Sequence, residues 1–284
     1  MSLTYYEVIL VLEPFEPEIA NSFLWDLNAL GTAEKEDCLL AYFEENDKLE
    51  NEIKNRLEEI KKQNLIKDYR ILINKIEDKN WNEEWEKTIK VIEVGKKLAI
   101  KPSFKDYSNA ENRIVIQIDP RMSFGTGEHI TTKMMLEFLE KYVSGGETIL
   151  DCGTGTGILA IAAIKLGAKK ALAFDIDECS YLNAKENISL NDVESQIEVR
   201  RGDFLCVKDS EKDFDIIAAN ILKPILKDKA EFLNDKLKNG GLLALSGFLN
   251  SDIVELSEIY ENSSFELIEQ KSESDWAMLV FRKI

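Results

Sequence analysis

Histidine is almost absent from this 284-residue chain, which has one, and its four cysteines, Cys38, Cys152, Cys179 and Cys206, stand far apart with no CxxC spacing. A zinc site needs clustered thiolates and imidazoles, and a disulfide framework needs closely spaced pairs, so the pattern argues against both and for reduced thiols. Long apolar runs are missing too. None approaches the roughly 20 residues of a membrane helix, and the best candidate, 158–174, is interrupted by Lys165, Lys169 and Lys170. The first residues lack the basic region, apolar core and cleavage site of a signal peptide, so a cytoplasmic protein is expected. Positive charge is short: 36 Lys and Arg face 53 Asp and Glu, a net charge of −17. That field repels phosphate backbones, so no direct nucleic-acid binding is expected. It favours a basic partner, although solubility alone also accounts for it.

What is present divides into two grammars. Residues 4–13 read as a strand, and Ile19, Phe23, Leu27 and Leu30 recur at helical spacing with Gly31 as the expected stop. A strand follows at 38–45, with 31–37 before it as a turn or edge partner. Asp47 opens a helix with Glu50 three residues on, Leu49, Ile53, Leu57 and Ile60 line one face, and 69–76 returns to strand. Residues 1–78 thus spell βαββαβ, the order of a small ferredoxin-like α+β domain, and they hold 9 basic against 18 acidic side chains. Residues 79–95 are expected as a linker, with Trp81 and Trp85 four apart in it. Residues 96–284 alternate strand and helix: ETILD, KALAFD, IEVRRGD, FDIIAAN and GLLALSG are separated by helical stretches, and the last segment gives two more strands. An α/β, doubly wound Rossmann-like sheet with an antiparallel C-terminal finish is predicted.

Its first turn reads Asp151-Cys-Gly-Thr-Gly-Thr-Gly. A dinucleotide fingerprint would place its third glycine at position 158, where Ile158 stands. A carboxylate beside a pyrophosphate is repulsive, whereas Asp151 near an α-ammonium is attractive. Asp175 ends the next strand, where the topology points it at a ribose, and Asp203 ends the third, within reach of an adenine amine. A ligand with an amino-acid end, a ribose and an adenine is S-adenosylmethionine. Gly153 and Gly155 are expected against it, with Phe124 and Gly125 in a loop closing over it. Asn220 ends the fourth strand and is the candidate catalytic residue, its amide accepting from an incoming amine; capping of the next helix is the competing role. His129 is either a hydrogen-bonded loop residue or a proton carrier.

These features resemble the class I methyltransferases, and more narrowly the PrmA family, which methylates the large-subunit ribosomal protein number eleven. The most specific stretch is DPRMSFGTGEHITT (119–132); LGAKKALAFDID, AANIL, GGLLALSG and DWAMLVFRK are similar to family segments in the same order. Glu128, Ile130 and Thr154 depart from the family pattern. The resemblance implies cofactor contacts from Thr132, Gly153, Asp175 and Asn220, and a small N-terminal domain that recognises the ribosomal protein. A monomer acting on a basic protein is expected, with an α-amine as its easier target than a lysine. A different protein lysine or a small amine stays open as the acceptor.

Overall fold

Along β1 (Thr4–Glu13), Val8, Leu10 and Leu12 are buried at every second position, the signature of a strand with one face on a core. The computed structural model describes the chain except at positions 1–3, 16, 36–37, 45, 47, 64, 78–89 and 120–123. Asp47, Trp81, Trp85 and most of the expected linker lie outside the described residues. Two units divide the chain, Met1–Thr88 and Ile89–Ile284.

In the first unit, α1 (Pro17–Asp26), β2 (Gly31–Glu34), β3 (Leu39–Glu44), α2 (Leu49–Lys62) and β4 (Asp68–Glu77) follow β1. The strands form one antiparallel sheet in the order β2-β3-β1-β4. Phe23 and Leu24 of α1 and Leu49, Ile53 and Leu57 of α2 join its core. The first helix ends earlier than its spacing suggests. Asn28, at φ 63°, takes the left-handed turn expected of Gly31, and Ala29 N–H closes on Leu24 O at 3.1 Å. Gly31 instead opens the edge strand β2, paired with β3.

The second unit begins inside the stretch assigned to the linker. β5 (Ile92–Val94) buries Val94 and pairs with β6 (Leu98–Lys101), which pairs in parallel with β7 (Ile114–Gln117). The polar residues between β5 and β6, which hid this hairpin, are a turn held by Glu140, whose carboxylate accepts from Lys96 N–H at 2.9 Å and Lys97 N–H at 3.0 Å.

The main sheet comprises β8 (Thr148–Cys152), β9 (Lys170–Asp175), β10 (Ile197–Arg201), β11 (Phe214–Asn220), β12 (Leu237–Leu249), β13 (Phe265–Glu273) and β14 (Trp276–Lys283). Its order is β10-β9-β8-β11-β12-β14-β13. The first five strands are parallel, and β14 runs antiparallel between β12 and β13. A parallel sheet covered on both faces needs strands apolar on both sides. β11 meets this with Ile216 and Ala218 in one core and Ile217 and Ala219 in the other. On the first face lie α3 (Ile130–Tyr142), α4 (Ile158–Lys165) and α5 (Glu178–Leu190); α6 (Lys223–Asp228), α7 (Ala230–Lys236) and α8 (Ile253–Glu261) cover the second. The apolar stretch from 158 is a short helix buried from Ile158 to Ile164 and then strand β9. Among the described residues no helix is long and apolar enough to cross a membrane.

Candidate active site

The strand order reverses between β8 and β11, and ligands of open parallel sheets bind at the carboxyl ends beside such a reversal. A cavity of about 560 Å³ opens there. Thr132, Gly153, Gly155, Asp175, Asp203, Asn220, Phe124 and Gly125 all line it. Asp151 does not.

The glycine row lets its backbone approach the Phe124 backbone and the Ile221 side chain closely. Gly153 and Gly155 have φ of 73° and 55°, a region that side chains disfavour. A Cβ on Gly153 would stand 2.4 Å from Ile221 Cγ2, and one on Gly155 2.3 Å from Phe124 O. The loop is pinned from β9: Gly153 and Thr154 N–H donate to Phe174 O at 3.0 and 2.9 Å, and Gly155 N–H donates to Asp175 Oδ2 at 2.8 Å. Asp175 Oδ1 accepts from Asp177 N–H at 3.0 Å. An ionised carboxylate offers about four acceptor positions, so Asp175 keeps capacity for hydroxyls.

Asp203 is exposed, and its Oδ1 accepts from Leu205 N–H at 2.9 Å, capping the short 3-10 turn Phe204–Cys206. That turn is anchored by Arg200, which donates to both Glu211 oxygens at 2.6 Å and to Cys206 O at 2.7 Å. The fork holds Glu211 down at about 2.

Asn220 does not cap the helix after it, because the N-cap of α6 is Leu222. Its Nδ2 donates to Thr131 Oγ1 at 3.3 Å, and its Oδ1 is buried with no partner among the described residues. Thr132 Oγ1 is likewise buried and unpartnered. His129 is the N-cap of α3: its Nδ1 accepts from Thr131 N–H at 3.3 Å and stands 2.7 Å from Thr131 Oγ1. A backbone N–H can only donate, so the proton of the neutral ring sits on Nε2. The hydrogen-bonded role is therefore filled at Nδ1. The ring meets Phe124 and Trp276 edge-on, with centroids 5.3 and 4.8 Å away. Thr131 was invisible to sequence reasoning, because its importance comes from joining two residues 91 positions apart in the chain, His129 and Asn220.

Asp151 is the correction. It is wholly buried beneath the glycine loop, with Oδ2 accepting from Thr154 Oγ1 at 2.6 Å and Oδ1 unpartnered. The strand-end position was legible, but the loop folds over the carboxylate and removes it from the wall. Burial pushes its carboxyl from 3.8 up to about 6, opposed by the Thr154 hydroxyl and aided by the charge of Asp175. The folded form therefore takes up this proton at higher pH than the unfolded chain does, and stability falls as pH rises from 3.8 to about 6. Ionising this group in the fold costs ~3 kcal/mol. Asp151→Asn should accordingly gain about that much relative to the parent between pH 4 and 7, measured by denaturant unfolding; a flat difference would place the titration elsewhere.

A seven-stranded sheet with the antiparallel β14 between its last two neighbours, and a cavity at the reversal lined by carboxylate, amide and glycine, is that of a class I methyltransferase. Residues 18–284 match the model of the family described as Ribosomal protein L11 methyltransferase (PrmA). The ribosomal protein L11 methyltransferase of Caldicellulosiruptor saccharolyticus is 34% identical, over 99% of this chain and 100% of its own. That of Caldicellulosiruptor bescii is 37% identical, over 92% and 86%. A solved ribosomal protein L11 methylase from Lactobacillus delbrueckii subsp. bulgaricus superposes with a TM-score of 0.63 at 35% identity, covering 68% of this chain and 99% of its own. The chain belongs to the ribosomal protein L11 methyltransferase family.

Proposed function

We propose that this methyltransferase moves methyl groups from S-adenosylmethionine to the N-terminal α-amine and lysine side chains of ribosomal protein L11. The observation that carries the donor is the pair of buried, unpartnered oxygens on the cavity wall, Thr132 Oγ1 and Asn220 Oδ1. A buried polar atom without a partner is costly, and a donor rich in N–H and O–H groups relieves that cost. Bound S-adenosylmethionine supplies an electrophilic methyl on a sulfonium. In this reading Asp175 holds the ribose hydroxyls, Gly153 and Gly155 let the donor lie against backbone, and Phe124 and Gly125 roof it. Asp203 Oδ2 faces the adenine amine. Asp151 acts from below, by holding the glycine loop through Thr154.

Asn220 is the residue that meets the acceptor. Its Nδ2 is committed to Thr131, and the two lone pairs of its Oδ1 let that oxygen accept from the acceptor amine as well as from the donor, orienting the lone pair of the amine. Alignment of this kind supplies roughly 7–11 kcal/mol. Deprotonating a lysine at pH 7 costs about 4–5 kcal/mol and an α-amine about 1–1.4, so the α-amine reacts more easily.

The first unit is read as a ferredoxin-like recognition domain. What supports this is its sheet order β2-β3-β1-β4 with a helix after β1 and another after β3, together with 18 acidic against 9 basic residues over 1–78. A basic ribosomal protein suits that charge, and the protein is read as a monomer. Intact-mass and fragment analysis of L11 after incubation with enzyme and donor tests the proposal. Methyl increments on its α-amine or lysines are expected, slowed about 100-fold or more in Asn220→Ala. No increment despite donor binding would reject L11 as the acceptor.

A further inference from the structure

Helix α5 buries an unusual face. Asn183, Asn187 and, at its C-cap, Asn191 follow one another at four-residue spacing, and all three are almost fully buried. Asparagine is a poor helix former, and a buried amide is costly unless its hydrogen bonds are made. Packing alone would favour alanine or leucine here, so the row must be doing something that apolar side chains cannot.

Its partners give the reason. β7 is bonded to β6 along one edge, and just beyond its end Ile118 N–H donates to Lys101 O at 2.9 Å. Backbone groups alternate edges along a strand, so those of Gln117 and Asp119 face the other way, where among the described residues no strand lies beside them. The asparagines take that place. Asn191 Oδ1 accepts from Gln117 N–H at 2.9 Å, and its Nδ2 donates to Gln117 O at 2.7 Å. Asn187 Oδ1 accepts from Asp119 N–H at 2.9 Å, and Asn183 Nδ2 donates to Asp119 O at 3.2 Å. The match is geometric: one helical turn advances about 6 Å over four residues, and two residues of a strand span about 6.6 Å. Side-chain amides on a helix thus stand in for a neighbouring strand, running antiparallel to β7.

Asn187 has one more bond, and it leads to the cavity. Its Nδ2 donates to Thr156 O at 2.9 Å. Thr156 in turn donates its hydroxyl to Gly125 O at 2.6 Å and its N–H to Phe124 O at 3.0 Å. One buried amide therefore ties the strand end at Asp119 to the glycine motif at Thr156, and through it to both roof residues. Neither Asn187 nor Thr156 lines the cavity.

We infer that Asn187 is a positioning residue for the methyl-donor site: it fixes Thr156, and so the height of Phe124 and Gly125 above the cavity. The inference rests on reading that cavity as the donor site. Asn191 has no bond to Thr156: its amide pairs with Gln117, and its Nδ2 donates also to the backbone O of Asn187 at 2.7 Å.

The test uses the full chain with Asn187→Ala, Asn191→Ala, Thr156→Val and Thr156→Ser. Thr156→Val removes only the hydroxyl link to Gly125 at nearly constant volume, and Thr156→Ser restores it. Asn187→Ala and Thr156→Val are expected to raise the KM and Kd for S-adenosylmethionine about tenfold. Their kcat at saturating donor should stay within about threefold of the parent, and Thr156→Ser should bind normally. Asn191→Ala should lower Tm without this split. In the unliganded protein, amide exchange at Thr156 should quicken about tenfold in Asn187→Ala. Unchanged donor affinity in Thr156→Val, or an equal rise in Asn191→Ala, would overturn the inference. If the parent binds no donor, the donor reading fails by itself, and the exchange rate at Thr156 alone still decides whether Asn187 holds the roof.

Discussion

Replacing Asp175 with alanine should weaken S-adenosylmethionine binding by two orders of magnitude or more, measured by calorimetry, while the circular dichroism spectrum stays that of a folded protein. The expectation follows from how the carboxylate is used. Asp175 spends one acceptor position on Gly155 N–H and one on Asp177 N–H, which fixes its direction and leaves the rest for the ligand. Each hydrogen bond from a ribose hydroxyl to a desolvated carboxylate contributes about 1.5–3 kcal/mol, so losing two accounts for the whole effect. The fold survives because Asp175 is at a strand end, outside both cores of the second unit. Asp175→Asn separates the roles: one amide oxygen still accepts from Gly155, but the charge is gone, and intermediate affinity is expected. Unchanged binding in Asp175→Ala would remove the ribose assignment.

A chain reduced to residues 89–284 should bind the donor within about threefold of the full protein and yet lose methylation of L11 by about 100-fold or more. The residues that line the cavity all belong to the second unit, which has its own two cores. The solved Lactobacillus chain is covered 99% by 68% of this chain, a share the size of that unit. The acidic first unit carries its own core cluster. Scintillation counting of transferred methyl groups on L11 gives the rate, and calorimetry gives the donor affinity. Full activity in the shortened chain would end the recognition role proposed for residues 1–78.

The parallel half of the fold was readable because its strands are apolar runs punctuated by glycine and carboxylate. KALAFD and FDIIAAN coincide with β9 and β11 to the residue. The edges of elements were harder. Asn28 replaced Gly31 as the helix stop because asparagine also tolerates the left-handed region, and Ile92–Val94 was hidden by the polar turn after it. In the site, the residues at strand ends were legible because topology alone directs them to one place. Burial was not: whether Asp151 faces the cavity or lies beneath the loop depends on the path of three glycines. Nor was Asn187, whose contacts lie 31 and 68 positions away in sequence and leave no local pattern.

The lone histidine gives this protein an unusual spectroscopic convenience. His129 stands at the cavity rim with the rings of Phe124 and Trp276 about 5 Å away, so its imidazole protons lie in strong ring-current fields. With no other histidine in the sequence, the imidazole region of a nuclear magnetic resonance spectrum holds one residue's signals and needs no assignment. Any ligand that moves Phe124 shifts them, which makes the native side chain a label for occupancy of the site, readable on unmodified protein.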